Sequence, residues 1–318
     1  MPIGSGAILR SGFGAKALGM GGAFVAVADD YSAAYWNPAG ITRSSSLYLG
    51  GTHYDKYGLG LNLDYLSAGL SVPSSAHQRE NSLIPALPLP FLEKISLAGT
   101  YVGFSTNVRT SGPGGSEIPI TYSERSYLGT AGFRFPAVGS IGFSLKNYSY
   151  SAPNSGVGGL DASAHGLGFD IGVLSEPLEG LNFGAVAFDI AGTDITWKNT
   201  PTEPTNIVPS RYSVGTAYTL DFSRFSITES IPGKLTVAGQ YTFGPNIAKK
   251  IRSGVEYGIS IFSLRAGVVK PLSGSARFTA GAGFDITLIT VDIAWIQNSS
   301  LEGENTSDTL VFSSEFEF

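Results

Sequence analysis

Hydrophobic and polar residues alternate along most of this chain. Over residues 277–286, Arg277, Thr279, Gly281, Gly283 and Asp285 fall on one face, and Phe278, Ala280, Ala282, Phe284 and Ile286 on the other. Over 289–297, Ile289, Val291, Ile293 and Trp295 oppose Thr290, Asp292, Ala294 and Ile296. Residues 251–259 and 262–270 read the same way, with Arg252, Glu256 and Arg265 on polar faces. Strict alternation marks strands with one apolar and one polar face. It predicts further strands over 46–53, 59–72, 94–106, 121–135, 138–150, 161–174, 181–191, 210–221, 234–243 and 309–318. The total is about fourteen, and an even number of strands of about ten residues is what a closed bacterial barrel requires.

The connections sharpen this reading. If the first strand runs outward, the long links at 107–120, 151–160, 192–209 and 298–308 all fall on one side. Most links on the other side are tight, as at Pro136-Ala137 and near Ser260 and Ile286. Long outer loops and short periplasmic turns are the outer-membrane pattern. Segment 73–93 breaks it: it is long, and Pro85, Pro88 and Pro90 forbid a paired central strand there. Charges facing lipid at mid-depth would cost about 2–4 kcal/mol each. The faces that carry Lys146, Asp170, Arg252, Glu256, Arg265, Arg277, Asp285, Asp292, Glu315 and Glu317 are therefore expected to line the lumen. Those charges read either as a structural network or as a lining that selects ligands, the first being favoured.

Residues 1–43 do not alternate. They are small, apolar and broken by glycine, too much so for a long helix. Asp29 and Asp30 are placed to cap a short helix over 31–36, Asn37-Pro38 to end it, and Gly40 to turn the chain into the first strand. Such a stretch suits an insert inside the barrel, with Asn37, Pro38, Ala39 and Gly40 as its anchor at the inner mouth. Phe13, Leu18, Met20, Phe24 and Val25 are apolar where a barrel interior would be polar. They could line a greasy pocket or simply form the insert's own core.

Composition agrees with a membrane barrel and removes several function classes. Charged residues are 14% of the 318, glycines number 42, and aromatics reach 12%, yet no run approaches the ~20 apolar residues of a membrane helix. A soluble all-β protein could share these figures, and composition alone weighs the two about equally. The net charge of −5 argues against nucleic acid. Cysteine is absent, so disulfides and thiolate metal sites are excluded. His53, His77 and His165 lack metal-ligand spacing, and no nucleophile motif or phosphate loop is present. No catalytic set, metal or cofactor is expected. Met1-Pro-Ile-Gly lacks the basic and apolar regions of a signal peptide, so the numbering is read as starting at a mature chain.

The segment Ala15-Lys-Ala-Leu-Gly-Met-Gly-Gly-Ala-Phe-Val-Ala-Val-Ala-Asp-Asp, followed by Tyr35-Trp-Asn-Pro-Ala-Gly, resembles the N-terminal hatch of the FadL-type outer-membrane barrels, most closely their PorV-like branch. Phe188-Asp-Ile-Ala-Gly-Thr-Asp-Ile-Thr-Trp197 and Ser253-Gly-Val-Glu-Tyr257 are similar to later parts of that family. The resemblance implies a hatch (1–43) plugging a transmembrane barrel (44–318) in the outer membrane of a Gram-negative-type bacterium. It implies passage of hydrophobic, fatty-acid-like or detergent-like molecules. The alternative is a PorV-like component of type IX protein secretion that receives exported proteins and works with other secretion components. A terminal aromatic on an alternating strand, Phe316 and Phe318 here, resembles the signal read by the barrel-assembly machinery.

Overall fold

The computed structural model describes residues 8–74, 89, 91–111, 117–153, 160–224, 232–298 and 307–318. Its strands are β1 (Leu47–Lys56), β2 (Leu61–Pro73), β3 (Lys94–Ser111), β4 (Glu117–Phe135), β5 (Gly139–Ala152), β6 (Ala162–Leu178), β7 (Leu181–Phe188), β8 (Thr193–Lys198) and β9 (Thr205–Val208). They continue as β10 (Arg211–Asp221), β11 (Lys234–Phe243), β12 (Lys250–Ile259), β13 (Phe262–Pro271), β14 (Arg277–Ile286), β15 (Ile289–Ile296) and β16 (Thr309–Glu317). Each barrel strand pairs antiparallel with its sequence neighbour, except that β7 pairs directly with β10 from Phe188↔Arg211 to Leu181↔Tyr218. The ring closes where β1 meets β16, from Tyr48↔Glu317 to His53↔Phe312. Fourteen strands therefore form a closed antiparallel barrel, with β8 and β9 as an added hairpin. Closure removes the exposed sheet edges that a bilayer does not tolerate.

The alternation sets inside and outside. On β16, Val311, Ser313 and Glu315 are buried, while Leu310, Phe312 and Phe316 are exposed on the outer face. Phe278, Val291, Ile293 and Trp295 are likewise outward and exposed, and Phe284 meets Phe262 on the same surface at 5.0 Å. Arg252, Arg265 and Asp292 point inward and are buried. A one-residue slip would reverse every one of these assignments.

Departures from the expected elements have local causes. Segment 192–209, expected as a plain loop, holds the β8–β9 hairpin, built from β-branched and aromatic residues such as Ile195, Trp197 and Ile207. This hairpin pairs with the upper part of β6, from Ser163↔Lys198 to His165↔Thr196. β7 stops at Phe188, short of the expected residue 191, because Asp189, Ala191 and Gly192 take left-handed φ of 48°, 66° and 83°. β3 and β4 stay paired out to Ser111↔Glu117, through most of the stretch expected to be loop. They run 18 and 19 residues, against 8–10 for β12 to β15. Most of the proline-rich 73–93 segment lies outside the described residues.

Two short helices, α1 (Ala15–Gly19) and α2 (Ala33–Trp36), and 3-10 turns over Ile8–Arg10 and Pro38–Thr42 occupy the N-terminal part. Neither aspartate caps α2. Its N-cap is Ser32, without a side-chain cap bond. Asp30 instead accepts from the Ser32 amide at 2.8 Å and the Ser32 hydroxyl at 2.6 Å, an Asx-type turn. Asp29 pairs with Lys16 at 2.9 Å. The end of the barrel where Arg43 leads towards β1 is called the near end below, and the opposite end the far end.

Candidate functional site

Nearly all of residues 12–43 are buried, and the wall has made room for them with glycine. An added Cβ at Gly142 would lie 2.2 Å from the Pro38 carbonyl carbon, at Gly172 2.1 Å from Asn37 Oδ1, and at Gly184 2.2 Å from Val25 O. At Gly254 it would meet Met20 O at 2.3 Å, and at Gly267 Gly21 N at 2.2 Å. Such distances are far inside any contact a side chain could accept, so backbone rests on backbone around much of the lumen. These inward glycines were not singled out from the sequence. Their signal was present as glycine recurring on the polar face of successive strands.

Wall side chains also satisfy the backbone of this segment, which is too irregular to satisfy itself. Gly14 N donates to Thr52 Oγ1 at 3.1 Å and Ala15 N to Ser313 Oγ at 3.2 Å. Phe24 N and Val25 N both donate to Gln240 Oε1, at 3.1 and 3.0 Å. Thr279 Oγ1 accepts from Gly21 N and donates to Gly19 O. Asn37 Nδ2 bridges Val25 O at 2.9 Å and Val173 O of the wall at 3.0 Å, while its Oδ1 accepts from Ala39 N. Pro38 lies against Gly142, and Gly40 closes on Ala28 O, where a Cβ would stand 2.4 Å away.

The five apolar residues singled out in this segment separate into three settings. Phe13 stacks on Tyr65 at 5.3 Å and meets Tyr35 edge-on at 5.2 Å. Phe24 meets Trp36 at 6.1 Å, and Met20 is fully buried in the same cluster. Val25 joins a separate small cluster with Val186 and Phe188 of β7. Leu18 also lines the far-end cavity described below.

The expected lumen charges form more than one group. Arg265 donates to Glu256 Oε2 and to Asp292 Oδ1, both at 2.5 Å. Arg252 donates to Thr242 Oγ1 at 2.9 Å and lies over the Trp36 ring at 5.9 Å. Arg277 stands at the far end among other cations. Asp285 has inward parity but sits exposed at the near end, accepting from Thr290. A second buried network marks the place where β7 leaves the wall. Lys146 Nζ lies 2.8 Å from both Asp170 Oδ1 and Asp189 Oδ2, and Asp189 Oδ1 accepts from Tyr148 and Thr193. The Asp189 amide also donates to Asp170 Oδ1 at 2.8 Å, so the left-handed Asp189 is held by four polar neighbours. Asp189 was not singled out from the sequence, although it directly follows the last residue of β7.

Within the N-terminal segment, burial pushes the Asp30 carboxyl up to about 6, against the pull of Lys16 and with a further push from Asp29. Among the described residues its Oδ2 is buried without a hydrogen-bond partner. Burial opposes the Lys16 ammonium, but Asp29, Glu256 and Asp30 outweigh it and hold Lys16 above the usual lysine range.

At the far end, above α1 and α2, a cavity of ≈ 280 Å³ opens between the segment and the wall. Leu18, Gly21, Gly22 and Trp36 form its floor, and Val269 and Ile296 contribute apolar wall. Arg10, Lys56, Lys250, Arg252 and Arg277 also line it, and none of its described lining residues is acidic. Lys56 donates to Ser11 Oγ at 3.1 Å. Burial, and next the neighbouring Arg211, lower the Arg10 guanidinium from its ordinary value.

A closed wall with an apolar exterior and a lumen filled by the chain's own N-terminal part defines a plugged transmembrane-type β-barrel. That is the fold of the FadL-type channels. The chain superposes on the CymD monoaromatic hydrocarbon channel with a TM-score of 0.62 at 12% identity, over 96% of this chain and 98% of that one. It superposes on a Pseudomonas aeruginosa FadL homologue, and on the Pseudomonas putida toluene transporter TodX, each with a TM-score of 0.57 at 12% identity and the same coverage. No protein-family model matches the chain, and no curated protein matches it by sequence.

Proposed function

We propose that this protein is a non-enzymatic outer-membrane channel for small hydrophobic molecules, with residues 1–43 as a hatch and 44–318 as the wall. The observation that carries the reading is the fit of the apolar N-terminal segment against a glycine-lined interior. A lumen of this strand number would otherwise be wide enough to hold more than side chains. Here the N-terminal segment, held against the wall by hydrogen bonds and contact, fills most of it. Fold likeness to channels named for monoaromatic hydrocarbons and toluene supports the substrate class. In this reading Asn37 to Gly40 anchor the hatch to β5 and β6. Phe13, Leu18, Met20, Phe24 and Val25 present the apolar surface a ligand would meet as the hatch shifts. The alternative, a PorV-like role in protein secretion, rests on the motif resemblance alone.

The test is removal of residues 1–36. The truncated barrel should still fold and should conduct steadily in planar bilayers, where the full chain is nearly silent. Equal conductance before and after removal would mean that the segment does not plug the channel, and the proposed gate would be lost.

A further inference from the structure

The far-end vestibule carries more positive charge than an apolar solute needs. Five cationic side chains line one cavity of ≈ 280 Å³, close to the ~300 Å³ at which small-molecule sites begin. Among the described residues, Lys56, Lys250, Arg252 and Arg277 form no ion pair, and no carboxylate lines the space with them. The other inward charges behave differently: Arg265 and Lys146 each sit between two carboxylates. Like charges gathered without counter-charge repel one another, and that cost is relieved when an anion joins them. The floor is of another kind. Trp36 is buried and fixed by its Nε1 donating to Phe13 O at 2.8 Å, and Leu18, Val269 and Ile296 complete an apolar base. Gly22, at φ +69°, lets Arg252 and Trp36 approach; a Cβ there would lie 2.8 Å from the indole and 3.3 Å from the arginine side chain. The cavity is thus a ring of cations over an apolar floor.

We propose that this vestibule binds a phosphate-type dianion carried on a small apolar body, the class of alkyl and aryl phosphate monoesters. The head group would lie among Lys56, Lys250, Arg252 and Arg277, and the apolar body on Trp36 and Leu18. Guanidinium and ammonium groups suit this head because phosphate oxygens accept several charge-assisted bonds at once. The inference rests on the reading of the barrel as a channel for small apolar molecules and adds the head group that the outer site prefers.

The test uses the full chain in uncharged detergent, with phenyl phosphate, benzoate, benzyl alcohol and inorganic phosphate as probes, read by calorimetry. Phenyl phosphate should bind at least about tenfold more tightly than benzyl alcohol, with benzoate between them. It should also bind more tightly than inorganic phosphate. Lys250→Gln combined with Arg277→Gln should erase the advantage over benzyl alcohol, while Lys234→Gln at the exposed near end should leave it intact. If the double variant does not fold, a salt titration of the wild type serves instead: phenyl phosphate affinity should fall steeply with KCl and benzyl alcohol affinity should not. Equal binding of phenyl phosphate and benzyl alcohol would overturn the anion site. Equal binding of inorganic and phenyl phosphate would overturn the role of the apolar floor. Either result would leave the channel reading standing, since that reading is tested separately by the conductance of the truncated barrel.

Discussion

Gly184→Ala should loosen the hatch without weakening the wall. Gly184 lies inside β7, paired with Gly215 of β10 and Leu174 of β6. A methyl group there would sit 2.2 Å from Val25 O and 2.9 Å from Ala26 Cα. No rotamer relieves a clash with backbone, so the 24–26 stretch must withdraw by about 1 Å to reach ordinary contact. That movement strains three hydrogen bonds at once: Asn37 Nδ2 to Val25 O at 2.9 Å, and Phe24 N and Val25 N to Gln240 Oε1 at 3.1 and 3.0 Å. At a net 0.5–1.5 kcal/mol each, their loss is worth about 1.5–4.5 kcal/mol. The population with the hatch displaced should then rise roughly 10- to 1,600-fold. The chain has no cysteine, so a single Ala34→Cys in buried α2 reports opening through its rate of maleimide labelling. Gly239→Ala is the matched control, because a Cβ there meets nothing within 4 Å. Heat-modifiable migration on gels should show an intact barrel in both variants. If Gly184→Ala labels no faster than Gly239→Ala, the glycine contact does not hold the hatch and the reasoning fails.

Val291→Arg places a charge on the lipid face and should cost about 2–4 kcal/mol in bilayer refolding if it lies near mid-depth, whereas Thr290→Arg on the opposite face should cost clearly less; equal costs would reverse the assignment of faces. For Asp30, a folded pKa of about 6 lies above the ordinary 3.8, so its contribution to hatch docking is fully present below about 4 and is lost as pH rises through 6. Leak conductance should therefore be lower at pH 5 than at pH 7.5, and Asp30→Asn should flatten that difference. Phe318→Ala should reduce insertion in cells while leaving the heat resistance of inserted protein near normal, since the Phe318 ring is exposed and ring closure uses its backbone bonds with Leu47; unchanged insertion would make the aromatic incidental.

The barrel was legible in the sequence because a period of two is imposed by lipid on one side and lumen on the other, strand after strand. The separation of Phe278 and Val291 from Arg265 and Asp292 needed nothing more. The β8–β9 hairpin was not legible, because its short runs, Thr193–Lys198 and Thr205–Val208, lack neighbours long enough to establish a period. The end of β7 was hidden because the left-handed Asp189 is held by tertiary bonds with Asp170, Lys146 and Tyr148, not by local propensity. The seating of the N-terminal segment was half visible. Its apolar character and the Asn37-Pro38 stop could be read directly. Its partners, the inward glycines and Gln240, lie more than a hundred residues away and carry no pattern that links them to it. The partnership of Asp29 with Lys16, rather than with a helix N-terminus, likewise depends on a fold-back that propensity does not specify.

The unequal strands give the barrel a sloping rim. At about 3.3 Å per residue, β3 and β4 extend ~60 Å along their axes, while β12 to β15 extend only ~26–33 Å, close to the ~30 Å hydrocarbon core itself. The surplus lies at the far end, where β3 and β4 remain paired to Ser111↔Glu117. The cationic cavity opens beside the low flank, lined by the far ends of β12 to β16. In the channel reading proposed above, a solute on that flank would reach the cavity without first climbing the tall half. Apolar compounds concentrate in the head-group layer by partitioning. In that reading, supply to this opening would follow a compound's membrane partition coefficient, so that two solutes at equal aqueous concentration would arrive at rates set by how much of each the head-group layer has already collected.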